Sequence, residues 1–161
     1  MRNHRVGSGR AALVACGVVV ALVAPAGSAS ARTTLHYYSK ETSFAFLNAA
    51  GKEIHAPTAP GDRFTSTDVN YVGDHKKHAK KWTSTDHSIC TIVNETDAVC
   101  DIQIAIGGSM LLSSNVKVSL GGDGAVNVPI NGGTGRYRNA KGTLKSTQVD
   151  DSASDMTLTL K

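Results

Sequence analysis

Gly132-Gly133-Thr134-Gly135-Arg136-Tyr137-Arg138-Asn139-Ala140-Lys141-Gly142 separates the strand-like run Val126-Asn127-Val128-Pro129-Ile130 from the next one, Thr143-Leu144-Lys145. Four glycines and a compact basic segment thus interrupt a C-terminal half otherwise written as strands. Glycine tolerates positive φ and close backbone approach. A cluster of glycines between two strand-like runs therefore marks a tight corner. The spacing is neither G-x-x-x-x-G-K followed by Ser or Thr nor a G-x-G-x-x-G that opens a long helix, so the corner is no phosphate cradle.

Working outward from the corner, strand signals recur at short intervals, and no long 3.6-residue apolar pattern follows residue 31. The chain reads as an all-β domain. Eight strands are expected, at 35–46, 63–72, 88–93, 99–106, 110–120, 125–130, 142–149 and 156–160. Val116, Val118 and Leu120 share a face, as do Val126, Val128 and Ile130, and Gly121-Gly122-Asp123-Gly124 between them is a hairpin turn. Eight strands with hairpin-length links can close an antiparallel barrel, which removes the exposed edges. Counting alone leaves a two-sheet sandwich open.

Residues 1–31 read as a secretory signal: Arg2, Arg5 and Arg10 form a basic start, 11–24 is apolar, and Ala29-Ser30-Ala31 is a small-residue cleavage site. The domain is expected to span 32–161 and to be secreted. A 14-residue apolar run is too short to span a bilayer comfortably, so no stable membrane anchor is expected. Three of the 17 Lys and Arg lie in the first 31 residues and none of the 13 Asp and Glu, which leaves the domain at +1. The basic pI is therefore no evidence for nucleic-acid binding.

Cys16 leaves with the signal, and the exported domain keeps Cys90 and Cys100. Two cysteines outside the cytoplasm suggest one disulfide. They are symmetric about Glu95 and would face each other if 89–93 and 99–106 pair across the turn Asn94-Glu95-Thr96-Asp97. Two thiols without a histidine at matching spacing make no metal site, and no cofactor is expected. Asn94-Glu95-Thr96 is also a glycosylation sequon in form, which marks an exposed turn.

The corner resembles the GGTG(K/R)(F/Y)xxAxG segment shared by plant dirigent proteins, the allene oxide cyclases and barrel-like proteins that actinomycete-type bacteria secrete. Gly61-Asp62-Arg63-Phe64 with Thr67-Asp68-Val69-Asn70-Tyr71 is similar to the second strand of that superfamily, and Ser88-Ile89-Cys90-Thr91-Ile92-Val93 to its third. The resemblance covers about 35–160 and decides for an eight-stranded, antiparallel, closed barrel. It also implies a small apolar molecule as partner, guided through a cyclase-, isomerase- or dirigent-like reaction. Whether the protein is an enzyme stays open. A non-catalytic carrier, and a structural or interaction domain with a filled barrel, are the alternatives.

Asp68 stands where the HD(I/V)L(Y/F) strand of dirigent proteins has its aspartate, and Tyr71 matches the motif's aromatic. The resemblance implies that Asp68 faces the cavity and assists proton transfer, with Tyr71 beside it. Burial raises a carboxyl's pKa, which suits such a task near neutral pH. The other reading is an exposed strand aspartate. Asn70 replaces the motif's leucine. Asp101 and Gln103 alternate with Ile102, Ile104 and Ile106 and are the candidate ligand-binding pair. They line the cavity if the isoleucines pack outward against a partner subunit of a homodimer or homotrimer, and form the solvated face otherwise.

Several residues depart from the enzyme members. Cys90 falls on the active-site cysteine of the cyclases but is expected to be bonded to Cys100, and the glutamate of the cyclases' first strand falls on Tyr38, with Glu41 nearby. Arg136 and Lys141 stand where radical-coupling dirigent proteins often carry an acid and an arginine. His75-Lys76-Lys77-His78 and Lys80-Lys81-Trp82 form a basic loop flanked by Asp74 and Asp86, which reads as a solvated loop.

Overall fold

The computed structural model describes residues 32–57, 59–121 and 124–161. The expected signal, 1–31, and the centre of the turn at 121–124 lie outside the described residues. The strands are β1 Thr33–Leu47, β2 Glu53–Ile54, β3 Arg63–Val72, β4 Ser84–Ile92, β5 Asp97–Ile106, β6 Ser109–Ser119, β7 Ala125–Ile130, β8 Gly132–Gly133, β9 Gly142–Asp150 and β10 Ala153–Leu160. A single 3-10 turn, Gly135–Tyr137, lies in the corner. All strands belong to one antiparallel sheet in the order β7-β9-β10-β1-β3-β4-β5-β6-β8, with β2 beside β1 off that path.

The sheet is a nearly closed barrel with nine strands on its path, where eight and full closure were expected. The extra strand comes from the corner itself, because Gly132 and Gly133 pair with Leu112 and Leu111 of β6. Side chains close most of the remaining seam between β6 and β7. The amide of Asn131 acts as a piece of backbone, accepting from the Ser114 N–H at 3.0 Å and donating to the Ser114 carbonyl at 2.7 Å. Ser113 Oγ donates to the Pro129 carbonyl at 2.6 Å. Pro129 has no N–H to leave unpaired, which fits it to such an edge.

Alternation sets what lies inside. Ile104, Leu111, Ile130 and Leu158 are fully buried, and Cys90 and Cys100 sit directly opposite each other on β4 and β5. Their disulfide forms as expected, with a Cα–Cα separation of 4.0 Å. Two corner positions admit only glycine. A Cβ on Gly133 would lie 2.3 Å from the Tyr137 carbonyl oxygen, and one on Gly142 2.0 Å from that of Thr159.

Antiparallel connectivity sorts every connection to one of two ends. One end holds the described residues of the links 48–57, 59–62, 93–96, 120–121 with 124, and 151–152, and we call it the mouth. The other holds 73–83, 107–108, the corner 131–141 and residues 32 and 161. The corner caps this second end: the Arg136 N–H donates to Ser109 Oγ at 3.2 Å, and Tyr137 and Ala140 pack on the core.

Candidate functional site

Even-numbered residues from Phe64 to Asn70 of β3 and from Ser84 to Ile92 of β4 face inward, and register sets them side by side as Ser66 with Ser88, Asp68 with Asp86, and Asn70 with Ser84. The barrel therefore carries a polar ladder on one inner wall. The Ser66 and Ser88 hydroxyls are 2.8 Å apart. Asn70, fully buried, donates through Nδ2 to Asp86 Oδ1 at 2.6 Å and to Ser84 Oγ at 3.4 Å, while its Oδ1 has no partner. On the other side of β3, Glu41 and Ser39 of β1 stand opposite Asp68 and Asn70.

The electrostatics follow from this crowding. Burial, then the charge of Asp86 and the hydrogen bond with it, push the Asp68 carboxyl from its ordinary 3.8 up to about 7, against a small opposing pull from Ser66. Burial also raises Asp86, opposed by its hydrogen bonds from Asn70 and Asp68. Glu41 is raised by burial and then by Asp68. Two carboxyls in contact in a poorly solvated wall cannot both ionise cheaply, so the pair shares one proton up to near-neutral pH.

A cavity of about 360 Å³ opens beside the pair. Phe64 and Val126 give it apolar wall, Ser39, Ser146 and Gln148 give it hydrogen-bonding groups, and Glu41, Asp68, Asp150 and Asp151 give it four carboxyls. Ser146 Oγ donates to Ser154 Oγ at 2.9 Å on the same lining. No Lys or Arg belongs to the described lining. A larger cavity of about 780 Å³, also at the mouth, lies between Pro57, Pro60, Ile92 and Leu120 and holds one ionisable side chain, Glu95. Chemistry therefore singles out the smaller cavity. Among the described residues no three His, Cys, Asp or Glu side chains are grouped to hold a metal ion.

The expected site residues divide between the two faces of the sheet. Asp68 faces the interior. Tyr71 does not accompany it, because residues three apart on a regular strand point to opposite sides, and β3 runs against β4 without a bulge. Tyr71 instead joins Tyr38 and His78 in an aromatic cluster on the outer wall, with ring centroids 6.4 and 5.3 Å from its own. Asp101 and Gln103 are exposed on the outer face, while Ile104 and Ile106 are buried in the core with Ile102 packed against it, so the polar pair is the solvated side. Asp101 has a local task there, since its Oδ1 accepts from the N–H of Asn115 at 2.9 Å. Asn115 has φ 54° and sits beside the register shift of β5 on β6, so Asp101 braces a bulge.

Sequence reading missed Asp86 as a site residue and took it for a flank of the basic loop. A signal for it existed. Once Cys90 is placed inside by its disulfide, strand parity puts Ser88, Asp86 and Ser84 on the same face. Cys90 itself, bonded to Cys100, offers no thiolate.

No protein-family model matches the chain, and no curated protein sequence matches it. Solved structures do match. A pyocyanin demethylase superposes with TM-score 0.62 at 22% identity, over 80% of this chain and 100% of that one. A pterocarpan synthase dirigent protein gives 0.60 at 18%, over 81% and 94%. An exo-specific intermolecular Diels-Alderase gives 0.56 at 10%, over 81% and 98%. At these identities the likeness establishes the fold alone, an antiparallel β-barrel of the kind these proteins share.

Proposed function

We propose that the protein is a secreted barrel that binds a small, largely apolar molecule at its mouth and moves a proton on it through the Asp68–Asp86 pair. The observation that carries this reading is a hydrogen-bonded carboxyl pair, both members raised by burial, whose Asp68 reaches the wall of a cavity that also offers apolar surface, hydroxyls and three further carboxyls. Such a pair gives a proton to one atom of a bound molecule and regains one from another, so a rearrangement closes with no net proton exchange. Confinement adds to this, because holding two reacting ends together offsets part of the entropy of cyclisation. The named neighbours, a dirigent protein and a Diels-Alderase, support a guiding role of this kind. The four carboxyls at the cavity favour a neutral or cationic molecule over an anion. The signal-like pattern of 1–31 and the disulfide support export.

A second reading, a non-catalytic structural or interaction domain with a filled barrel, draws support from Ile104, Leu111, Ile130 and Leu158, which fill the barrel's centre. Asp68→Asn and Asp86→Asn separate the two. Binding of a neutral apolar dye such as Nile red, followed from pH 5 to 9, is expected to titrate near pH 7 in the parent and to lose that step in Asp68→Asn. Unchanged dye binding and an unchanged pH profile in both variants would favour the filled domain.

A further inference from the structure

We infer that the capped end of the barrel is a docking face for an anionic lipid surface, with Lys76, Lys77, Lys80, Lys81 and Trp82 at its centre. In the sequence these lysines look neutralised by Asp74 and Asp86. The fold removes one of those acids and occupies the other. Asp86 is turned into the barrel wall, where it bonds Asn70. Asp74 is tied into its own turn, accepting from the Lys77 and Lys76 N–H groups at 2.8 and 2.9 Å; these bonds keep its carboxyl ionised, so one exposed acid stands against four lysines.

The loop is held in one shape. The His75 N–H and ring both bond Asp155 on the outer face of β10, Gly73 bridges His78, and the His78 ring stacks on Tyr38 with centroids 4.7 Å apart. The four lysines are exposed and make no ion pair among the described residues. Charge is also sorted between the ends. Connections and termini at the capped end carry nine Lys and Arg against Asp74 alone, whereas those at the mouth carry Lys52 against Glu53, Asp62, Glu95 and Asp151 among the described residues.

A net charge near zero therefore conceals a dipolar barrel. Charge alone would suit any polyanion. Trp82 and Val72, 56% and 52% exposed beside the lysines, favour a bilayer, because an indole among lysines suits the layer between headgroups and acyl chains. Contact would be peripheral and reversible, and would turn the mouth away from the surface.

Trp82 is the sole tryptophan of the chain, so intrinsic fluorescence reads the face directly. All described strand pairings lie within 33–160, so residues 32–161 carry the sheet, and the test uses this segment because the apolar run at 11–24 would partition by itself. Titration with phosphatidylcholine vesicles holding 30% phosphatidylglycerol is expected to shift Trp82 emission to the blue and to co-sediment the protein. Raising the salt to 0.5 M should reverse this. Replacing all four lysines by Ser should lower partitioning about a thousandfold, since each basic residue near such a surface contributes roughly 1 kcal/mol. Trp82→Ala should keep the salt-dependent co-sedimentation and weaken it. Absence of binding, equal binding to pure phosphatidylcholine, or binding to dextran sulfate without binding to vesicles would each overturn the proposal.

Discussion

The two ends of this barrel are built from the same eight alternating strands and differ in what connects them. At the capped end, glycine packs backbone against backbone, and the corner covers the core. At the mouth, the links are acidic, carboxyls line the wall, and cavities remain. Steric fit governs the first end, and electrostatic crowding the second. The lesson is that alternation builds the wall, while stability and chemistry are set by local exceptions to it: glycines with no room for a methyl, and acids on a face that should be apolar.

Breaking the capped end should cost most. Gly142→Ala puts a methyl against the Thr159 carbonyl, where only backbone could give way, and is expected to lower unfolding free energy by about 3 kcal/mol in urea titrations. At the mouth, replacing Cys90 and Cys100 by serine opens the β4–β5 hairpin. A loop of that length predicts a loss of about 2–3 kcal/mol, read as a lower melting temperature. A mouth substitution costing more than the capped-end one would reverse the comparison.

Asp68→Asn should sharpen it, because the expected change is a gain. The folded pKa of Asp68 lies above its unfolded value, so its contribution is fully present below about pH 4 and is lost as pH rises through about 7. Asparagine does not ionise and also relieves Asp86 of a like charge. The variant should match the parent at pH 4 and exceed it by about 2 kcal/mol at pH 8, once solvent screening is allowed for. Denaturant titrations at the two pH values check this, and equal stabilities at pH 8 would contradict the shared proton. Asn131→Ala should have the smallest effect, about 1 kcal/mol, with loss of amide-exchange protection confined to Ser114 and its neighbours.

Much of the wall was legible in the sequence. All eight expected runs return as strands, because period-two alternation and turn glycines act locally. The disulfide was legible because hairpin symmetry fixes Cys90 opposite Cys100. Facing was harder. Tyr71 was grouped with Asp68 through a motif, yet strand geometry separates them, and the facing of Asp101 and Gln103 depends on where the apolar isoleucines go. Asp86 was hidden because the start of β4 lies four residues before its apolar part, in the polar stretch Ser84-Thr85-Asp86-His87. A strand of two corner glycines, β8, has no pattern to read.

The seam between β6 and β7 has a consequence for how the molecule fails. Elsewhere a strand must break a long row of backbone hydrogen bonds to leave, whereas here a short run of them, Asn131 N–H to the Leu112 carbonyl and Thr134 N–H to that of Met110 among them, is helped by an asparagine amide and a serine hydroxyl. Heat that parts this line as a whole would open the cylinder into a curved sheet with two bare edges. Each such edge is a template for the opposite edge of another copy. Damage at this line would therefore be lost to head-to-tail polymerisation, a route that the covalently stitched β4–β5 hairpin is spared.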